Sequence, residues 1–383
     1  THFYTRTSRH MLYQTHARIH LQNIRFNLEG IRQAVGSERK ILIAVKANGY
    51  GHGAVEVSRM AEQIGVEWLG VATVPEGLQL RAAGIRLPIL KLSHAFPEEM
   101  AAAVENDLTL TVCDRANADA LESVCRALRR TATVHLKVDT GMGRIGVAPE
   151  EAPALAAHLE RACPHLRLEG LFTHLPVSDI ADPAYTREQI ARFRTTVDAI
   201  HAALGRRVAL VHCANSGAVL AHPDGWFDMV RPGIMIYGFY PDAETPRTIP
   251  LKPGLSFLTR ISFLKQVEAG TSIGYGRTWV APERTWIATI PAGYADGFNR
   301  LFSNRGRVLI GGRSYPIVGR VCMDQSMVNL GPETEARVGD EVVLIGRSGD
   351  EEITACEWAE QLGTITYEVT CQINARVPRV YEG

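Results

Sequence analysis

From about residue 40 to 235 the chain alternates short apolar runs with amphipathic stretches. The runs are ILIAV (41–45), WLGVA (68–72), LPILKL (87–92), LTLTVC (108–113), TVHLKV (133–138), LRLEGLFT (166–173), VALVHC (208–213) and FDMVR (227–231). Seven intervening segments have helical spacing or room for a helix, among them AVEVSRMAEQIG, PEGLQLRAAG and EEAPALAAHLERAC. Continuous apolar runs suit strands buried on both faces, and eight of them alternating with helices predict a parallel (β/α)8 barrel. A doubly wound open sheet gives the same alternation, so the count alone leaves closure undecided.

Around 240–254 the stretch YPDAETPRTIPLKPG is rich in proline, lacks periodicity and reads as a linker. Beyond it, β-rich segments are punctuated by glycine: RISFLKQVEAG, RTWIATIPAGY, RVLIGGRSYPIVGRV, DEVVLIG and TYEVTCQINARVPRVY. One helical segment, TACEWAEQLG, opens with Thr354 as N-cap and Glu357 three residues on, a capping box. The expected division is a barrel over 1–250, with 1–16 an extension, and a mainly antiparallel β-domain over 251–383.

Composition narrows the class. A length of 383 residues suggests two domains, and 46% apolar residues can pack their cores. The 41 basic and 41 acidic residues cancel, which gives no reason to expect nucleic acid or an anionic membrane as partner. No run is long enough to span a membrane, and the first twenty residues lack the apolar core of a secretory signal. The chain begins with Thr, as a processed, tagged or excised chain would. Its seven cysteines are scattered without a CxxC pair, which fits reduced, mostly buried thiols in a cytoplasmic protein, with no disulfide and no metal site expected.

Barrels of this kind gather functional groups at the C-terminal ends of their strands. There the sequence places Lys46, Tyr50, Lys137, Arg144, His174, Asn215, Ser216 and Arg231. Lys46 follows four or more apolar residues, and burial lowers a lysine pKa, as Schiff-base formation requires. A lysine at a strand end ordinarily reaches solvent, but the glycines of ANGYGHG favour close approach of a ligand. Asn215-Ser216-Gly217 and Arg231-Pro232-Gly233-Ile234 follow the seventh and eighth strands, where such barrels hold phosphate. A glycine in either place is by itself only a turn. Arg231 beside a pyridine nitrogen would keep that nitrogen unprotonated; the plainer role is an ion pair with a carboxylate such as Asp228.

The ordered set AVKANGYGHG, HLKVDTGMGRIG, FTH, ANSGA, DMVRPGIMIYG, GYGRTW, IPAGYADGF, GRVCMDQ and TITYEV…RVPRVY resembles the alanine racemase family from about residue 17 to 381. The resemblance implies a pyridoxal 5'-phosphate (PLP) enzyme, a homodimer with two shared active sites, that interconverts L- and D-alanine for peptidoglycan precursors. It implies Lys46 as the PLP-bearing lysine and one catalytic base, and Tyr275 of the other subunit as the opposing one. Tyr50, Ser216, Gly233, Ile234 and Tyr367 match the phosphate-binding set, with Asn215 on the same loop. Arg231 matches the pyridine-nitrogen partner and His174 its neighbour. Arg144, Met323 and Asp324 match groups around the substrate carboxylate, and Tyr294 a tyrosine of the entry channel. Lys137 matches a lysine that is carbamylated in several relatives. Racemisation needs acid–base groups on both faces of Cα, which agrees with a lysine and an opposing phenol.

Three features depart from that pattern: Gly274, where many relatives carry Ser; the segment Leu175-Pro176-Val177-Ser178-Asp179 after His174; and Lys91 at the end of the third strand. They leave open a racemase acting on serine or another amino acid. A PLP-dependent amino-acid decarboxylase shares the architecture, but no glycine triplet for phosphate is present and Arg231 stands where an acid is expected. A non-catalytic PLP-binding barrel would lack the C-terminal β-domain.

Overall fold

The structure is a computed structural model that describes residues 11–383, so residues 1–10 of the expected extension lie outside the described residues. The chain forms two compact units, one of residues 23–252 and one of residues 11–22 with 253–383.

In the first unit the apolar runs become strands β1 (Lys40–Ala44), β2 (Trp68–Val71), β3 (Ile89–His94), β4 (Leu108–Val112), β5 (Ala132–Lys137), β6 (Leu166–Phe172), β7 (Leu210–His212) and β8 (Met229–Val230). They form one eight-stranded parallel sheet in the order β7-β6-β5-β4-β3-β2-β1-β8. Hydrogen bonds bridge the remaining edge: Asp228 N–H donates to the Val211 carbonyl (3.0 Å) and Arg231 N–H to that of Ala214 (2.7 Å). The Asp228 carboxylate accepts from Val211 N–H at 2.9 Å, so it serves closure of the sheet and not Arg231. The alternation that left closure open thus resolves as a barrel.

Seven helices fill the connections: Ala54–Gln63, Val74–Ala82, Pro97–Glu105, Arg115–Leu128, Ala152–Ala162, Ala184–Leu204 and Ser216–Ala221. Their starts are chemically marked. Thr73 and Glu76 form a reciprocal capping box, and Asp114 and Asn215 each accept a backbone N–H from the first turn. The interior contains a cluster of Leu42, Trp68, Leu90, Leu210 and Met229, drawn from five strands. Fully burying one such side chain is worth about 1.5–3 kcal/mol.

Polar groups share that interior. His135 and His212 are fully buried, and the His135 ring centroid lies 5.3 Å from that of Trp68. The register between β5 and β6 shifts at Val134/His135, and a Cβ on Gly170 would stand 2.4 Å from His135 Nδ1. Lys91 is buried too, donating to the His94 carbonyl (2.6 Å) and Ser93 Oγ (3.2 Å) with Glu99 at 3.6 Å.

The second unit is mainly antiparallel. One sheet runs Arg313–Pro316, Arg307–Ile310, Glu341–Ser348, Leu255–Arg260, His16–His20, Arg379–Glu382. His16–His20, placed with the barrel by the sequence division, pairs here instead, antiparallel to Leu255–Arg260 and parallel to Arg379–Glu382. A second sheet joins Phe263–Val267, Thr285–Ile290 and Ser326–Gly331. Two further expectations change. Thr354 caps the helix Ala355–Leu362 by accepting from Glu357 N–H, but the Glu357 carboxylate returns no bond to the cap because Arg307 holds both its oxygens at 2.7 Å. Thr366–Cys371, expected as strand, is helical: its buried residues Thr366, Val369 and Thr370 fall at helical spacing. Among the cysteines Cys113, Cys125, Cys163 and Cys213 are buried, whereas Cys356 and Cys371 are exposed; none is in a disulfide. Among the described residues no helix is long and apolar enough to cross a membrane.

Gly170→Ala is expected to destabilise the barrel by about 1–3 kcal/mol through overpacking against His135. In urea unfolding, the Gly170→Ala/His135→Ala double variant should lose less than the sum of the single losses. Strict additivity would show that the two positions do not compete for the same space.

Candidate active site

Lys46 stands where β1 ends, and the backbone after it does something rare. Ala47, Asn48, Gly49, Tyr50 and Gly51 all have positive φ (51°, 53°, 63°, 51° and 85°), a single left-handed turn. Gly49 N–H bonds the Val45 carbonyl (2.8 Å) and Gly51 N–H that of Ala47 (3.0 Å). For the three non-glycine residues this costs about 1–2 kcal/mol each, so neighbouring groups must hold it. Glu76 accepts from Ala47, Ala72 and Thr73 N–H (2.8, 2.8 and 3.1 Å), and Asn48 Oδ1 from Ala54 N–H (3.0 Å). The Tyr50 ring packs 5.1 Å from that of Tyr237, whose hydroxyl donates to the Ala44 carbonyl at 2.9 Å. Lys46 Nζ lies 5.9 Å from the centroid of Tyr50.

The loops after β7 and β8 come together at Ser216, whose hydroxyl accepts from Gly233 N–H (2.9 Å) and Met235 N–H (3.4 Å). A Cβ on Gly233 would meet the Tyr50 hydroxyl at 2.8 Å, so Tyr50, Ser216 and Gly233 share one cradle, with Ile234 buried beside it. Asn215 is committed to the scaffold: Oδ1 accepts from Ala218 N–H and Ser178 Oγ (3.1 and 2.6 Å), and its amide donates to the Leu175 carbonyl (2.9 Å). The segment 175–179 that departs from the family pattern is thereby tied to this loop.

Arg231 is buried at the end of β8. It donates to the carbonyls of Thr173 (2.8 Å) and Cys213 (3.2 Å), to His212 Nδ1 (2.9 Å) and to His174 Nδ1 (3.2 Å). Arginine can only donate, so His212 Nδ1 is an acceptor and its proton sits on Nε2. That N–H donates to His135 Nδ1 (2.9 Å), which leaves the His135 proton on Nε2, 3.6 Å from Glu169. A continuous line of groups, Glu169–His135–His212–Arg231–His174, crosses the barrel. Burial, then the Arg231 charge, holds His174 and His212 neutral well below the usual imidazole range. His135 is lowered chiefly by burial, and burial brings Arg231 itself down to about 10.

Lys137 is buried at the end of β5, with Nζ 5.4 Å from the Phe172 centroid. Burial, followed by the charges of Arg144 and Arg231, brings its pKa down to about 8. Arg144 is exposed on the turn after β5, which Asp139 shapes by accepting from Gly141 and Gly143 N–H at 3.0 Å.

Tyr275, Tyr294, Met323, Asp324 and Tyr367 belong to the second unit. Tyr275 is 73% exposed on a short turn after Ser272–Ile273, flanked by Gly274 at φ 75°, ψ −177°, a conformation open essentially to glycine alone. A serine at 274 would have to move this turn. Ala295 N–H donates to the Met323 carbonyl (3.0 Å) and Tyr294 N–H to that of Cys322 (3.1 Å), so these two loops are bonded to each other. Beneath them Asp296, fully buried, accepts from Gly293 N–H (2.9 Å), Tyr13 (2.7 Å) and Arg376 (2.7 Å); Arg376 also donates to Asp324 at 2.8 Å. Tyr367 lies in the helix Thr366–Cys371. Sequence reading missed Glu76, His135, Glu169, His212 and Asp296. The available signal was a histidine within each of two apolar strand runs, TVHLKV and VALVHC.

His135, His174 and His212 have folded-state pKa values below 6.5, so the unfolded chain binds more protons and stability falls as pH drops below that value. Each still-neutral histidine contributes a loss of up to about 1.4 kcal/mol per pH unit. Urea midpoints measured from pH 7.5 to 5 should decline, and His212→Asn should flatten the slope; an unchanged slope would contradict a neutral buried His212.

Comparison with known proteins agrees over nearly the whole length. Residues 19–241 match the family described as alanine racemase, N-terminal domain, and residues 255–381 that described as alanine racemase, C-terminal domain. The chain is 52% identical over 374 residues to the alanine racemase of Cutibacterium acnes, covering 96% of this chain and 98% of that protein. It is 46% identical to that of Symbiobacterium thermophilum, covering 96% and 97%. A solved alanine racemase of Clostridium difficile superposes with a TM-score of 0.93 at 39% identity, covering 97% of each chain. One from Bacillus anthracis, described with bound L-Ala-P, superposes with 0.92 at 38% identity, covering 98% of this chain and 96% of that one. The chain belongs to the alanine racemase family.

Proposed function

We propose that this protein racemises alanine with PLP as cofactor, acts as a homodimer with composite sites, and supplies D-alanine for peptidoglycan synthesis in the cytoplasm. The observation that carries the reading is Arg231, a buried cation whose partners are two histidines and two carbonyls. A cation there suits a pyridine nitrogen that stays unprotonated, which restrains carbanion delocalisation and favours return of the proton to Cα.

The residues present fit the cofactor. The cradle of Tyr50, Ser216 and Gly233, where only a glycine lets the backbone come so close to the Tyr50 hydroxyl, brings together two hydroxyls able to donate to a phosphate, with Ile234 beside it. Tyr367 joins this set by the family pattern. Lys46 lies at the strand end next to Tyr50, in position to carry the aldehyde. When bound, PLP supplies an electrophilic carbon for Lys46 and an electron-withdrawing ring that acidifies the substrate Cα–H. Lys46 Nζ then takes or returns a proton on one face of Cα, and Tyr275 of the partner subunit serves the other. Exposure of Tyr275, Met323 and Tyr294 (73%, 53% and 43%) supports a role for them in a second copy's site. Arg144, Met323 and Asp324 would receive the substrate carboxylate, and Tyr294 would line its approach.

Lys137 carries the remaining step of preparation. Its pKa of about 8 leaves part of its amine neutral near pH 7, able to add to carbon dioxide, release one proton and become an anionic carbamate beside Arg144.

Lys46→Ala should lose the near-visible absorbance of the PLP-loaded protein and its alanine racemisation by at least a thousandfold. Mixing it with Tyr275→Phe should restore part of the activity through hybrid dimers. Confirmed hybrids with no recovery would overturn the shared site. A panel of L-alanine, L-serine and L-lysine ranks substrates, with alanine expected first. Loading with ¹³C-bicarbonate should give a carbamate resonance that Lys137→Ala lacks; its absence in the wild type would remove the carbamate from the reading.

A further inference from the structure

Outside the barrel wall a second set of donor side chains comes together. Asp119 lies on the helix Arg115–Leu128 and His158 on Ala152–Ala162; Cys163 is the first residue beyond that second helix. The helix stops at Ala162 and Cys163 leaves it at φ −120°, ψ 68°. That break brings a residue five positions after His158 back within reach of it. His158 Nε2 is 2.5 Å from Asp119 Oδ1, and Cys163 Sγ is 4.0 Å from the same oxygen. All three ligand atoms lie within 4.8 Å of one another. Cys163 is buried, His158 half-buried and Asp119 exposed.

We propose that Asp119, His158 and Cys163 bind a divalent metal ion of the zinc class. One imidazole, one thiolate and one carboxylate are a borderline-soft set that suits zinc and disfavours calcium and magnesium. A thiolate and a carboxylate together balance a 2+ charge. Tetrahedral zinc with bonds of about 2.0–2.3 Å sets its ligand atoms roughly 3.3–3.8 Å apart. Rotation of the exposed Asp119 carboxylate opens the short contact to His158 and closes the long one to Cys163, and water completes the fourth position.

The surroundings favour a cation. Glu122, one turn after Asp119 and buried, accepts from His165 N–H (2.9 Å) and pairs with His165 Nδ1 (2.7 Å), which fixes the segment that carries Cys163. Among the described residues neither Asp119 nor Glu122 has an arginine or lysine in ion-pair distance; their partners are His158 and His165. A bound 2+ ion takes Cys163 as the thiolate and releases its proton. The metal would staple two outer helices, and nothing in it bears on the racemisation reading.

The test uses the purified full-length, PLP-loaded protein, freed of metal by chelator and titrated with zinc alone. One zinc per chain is expected to survive gel filtration, with affinity reduced at least tenfold in C163S and in H158Q. Cobalt should give a thiolate-to-cobalt charge-transfer band that C163S abolishes and the exposed-site control C356S keeps. Equal zinc binding in wild type, C163S and H158Q, or a cobalt band retained in C163S, overturns the site. If C163S fails to fold by circular dichroism, D119N and H158Q decide through the cobalt band. Racemisation should be unchanged by metal removal, so its presence or absence is read separately.

Discussion

A guanidinium withdrawn from water, able only to donate hydrogen bonds, dictates the company it keeps, and Arg231 is that group in this barrel. Its donors need acceptors, and the C-terminal ends of β6 and β7 with the residues just after them supply two carbonyls and two imidazole nitrogens around it. The imidazoles cannot be charged beside it, so they are neutral, and neutrality fixes one proton position after another out to Glu169. Leaving any member unpaired would cost about 1–3 kcal/mol. That is why Gly170 must lack a side chain, and why two histidines occupy strand positions that elsewhere hold aliphatic residues.

The two units hold their candidate site residues in place by different means. Around Lys46 the means is a left-handed turn of the backbone held in place by Glu76, Asn48 and Tyr237. In the second unit it is a buried carboxylate. Asp296 ties Tyr13, the turn of Tyr294 and Arg376 together, and through Arg376 reaches Asp324. Both devices fix the backbone around the candidate residues they carry.

The barrel was legible because parallel strands buried on both faces write themselves as apolar runs, and glycine-rich strand ends marked Lys46 and Gly233. Closure was not legible, since it rests on bonds at Val211, Asp228 and Arg231 that periodicity does not encode. The line through His135 and His212 was hidden for a related reason: a buried histidine gains its meaning from partners distant in sequence. His16–His20 looked like a prefix to the barrel because adjacency in sequence was the only guide. The helix at Thr366–Cys371 was misread because Tyr367, Val369 and Cys371 at alternate positions, with β-branched Thr366 and Thr370 between and beside them, fit a strand as well as a helix.

His16–His20 pairs with residues some 240 positions later and, on its other edge, with Arg379–Glu382. During synthesis His16–His20 emerges well before either of its partners, and the whole of 23–252 can finish folding in between. Closing pairs so distant in sequence is slow, and until it happens both strands present bare edges. The barrel is thus in effect an insertion within the unit that is completed last. Its early folding shortens the loop that must close, turning a search along the whole chain into the docking of two ends already held near one another.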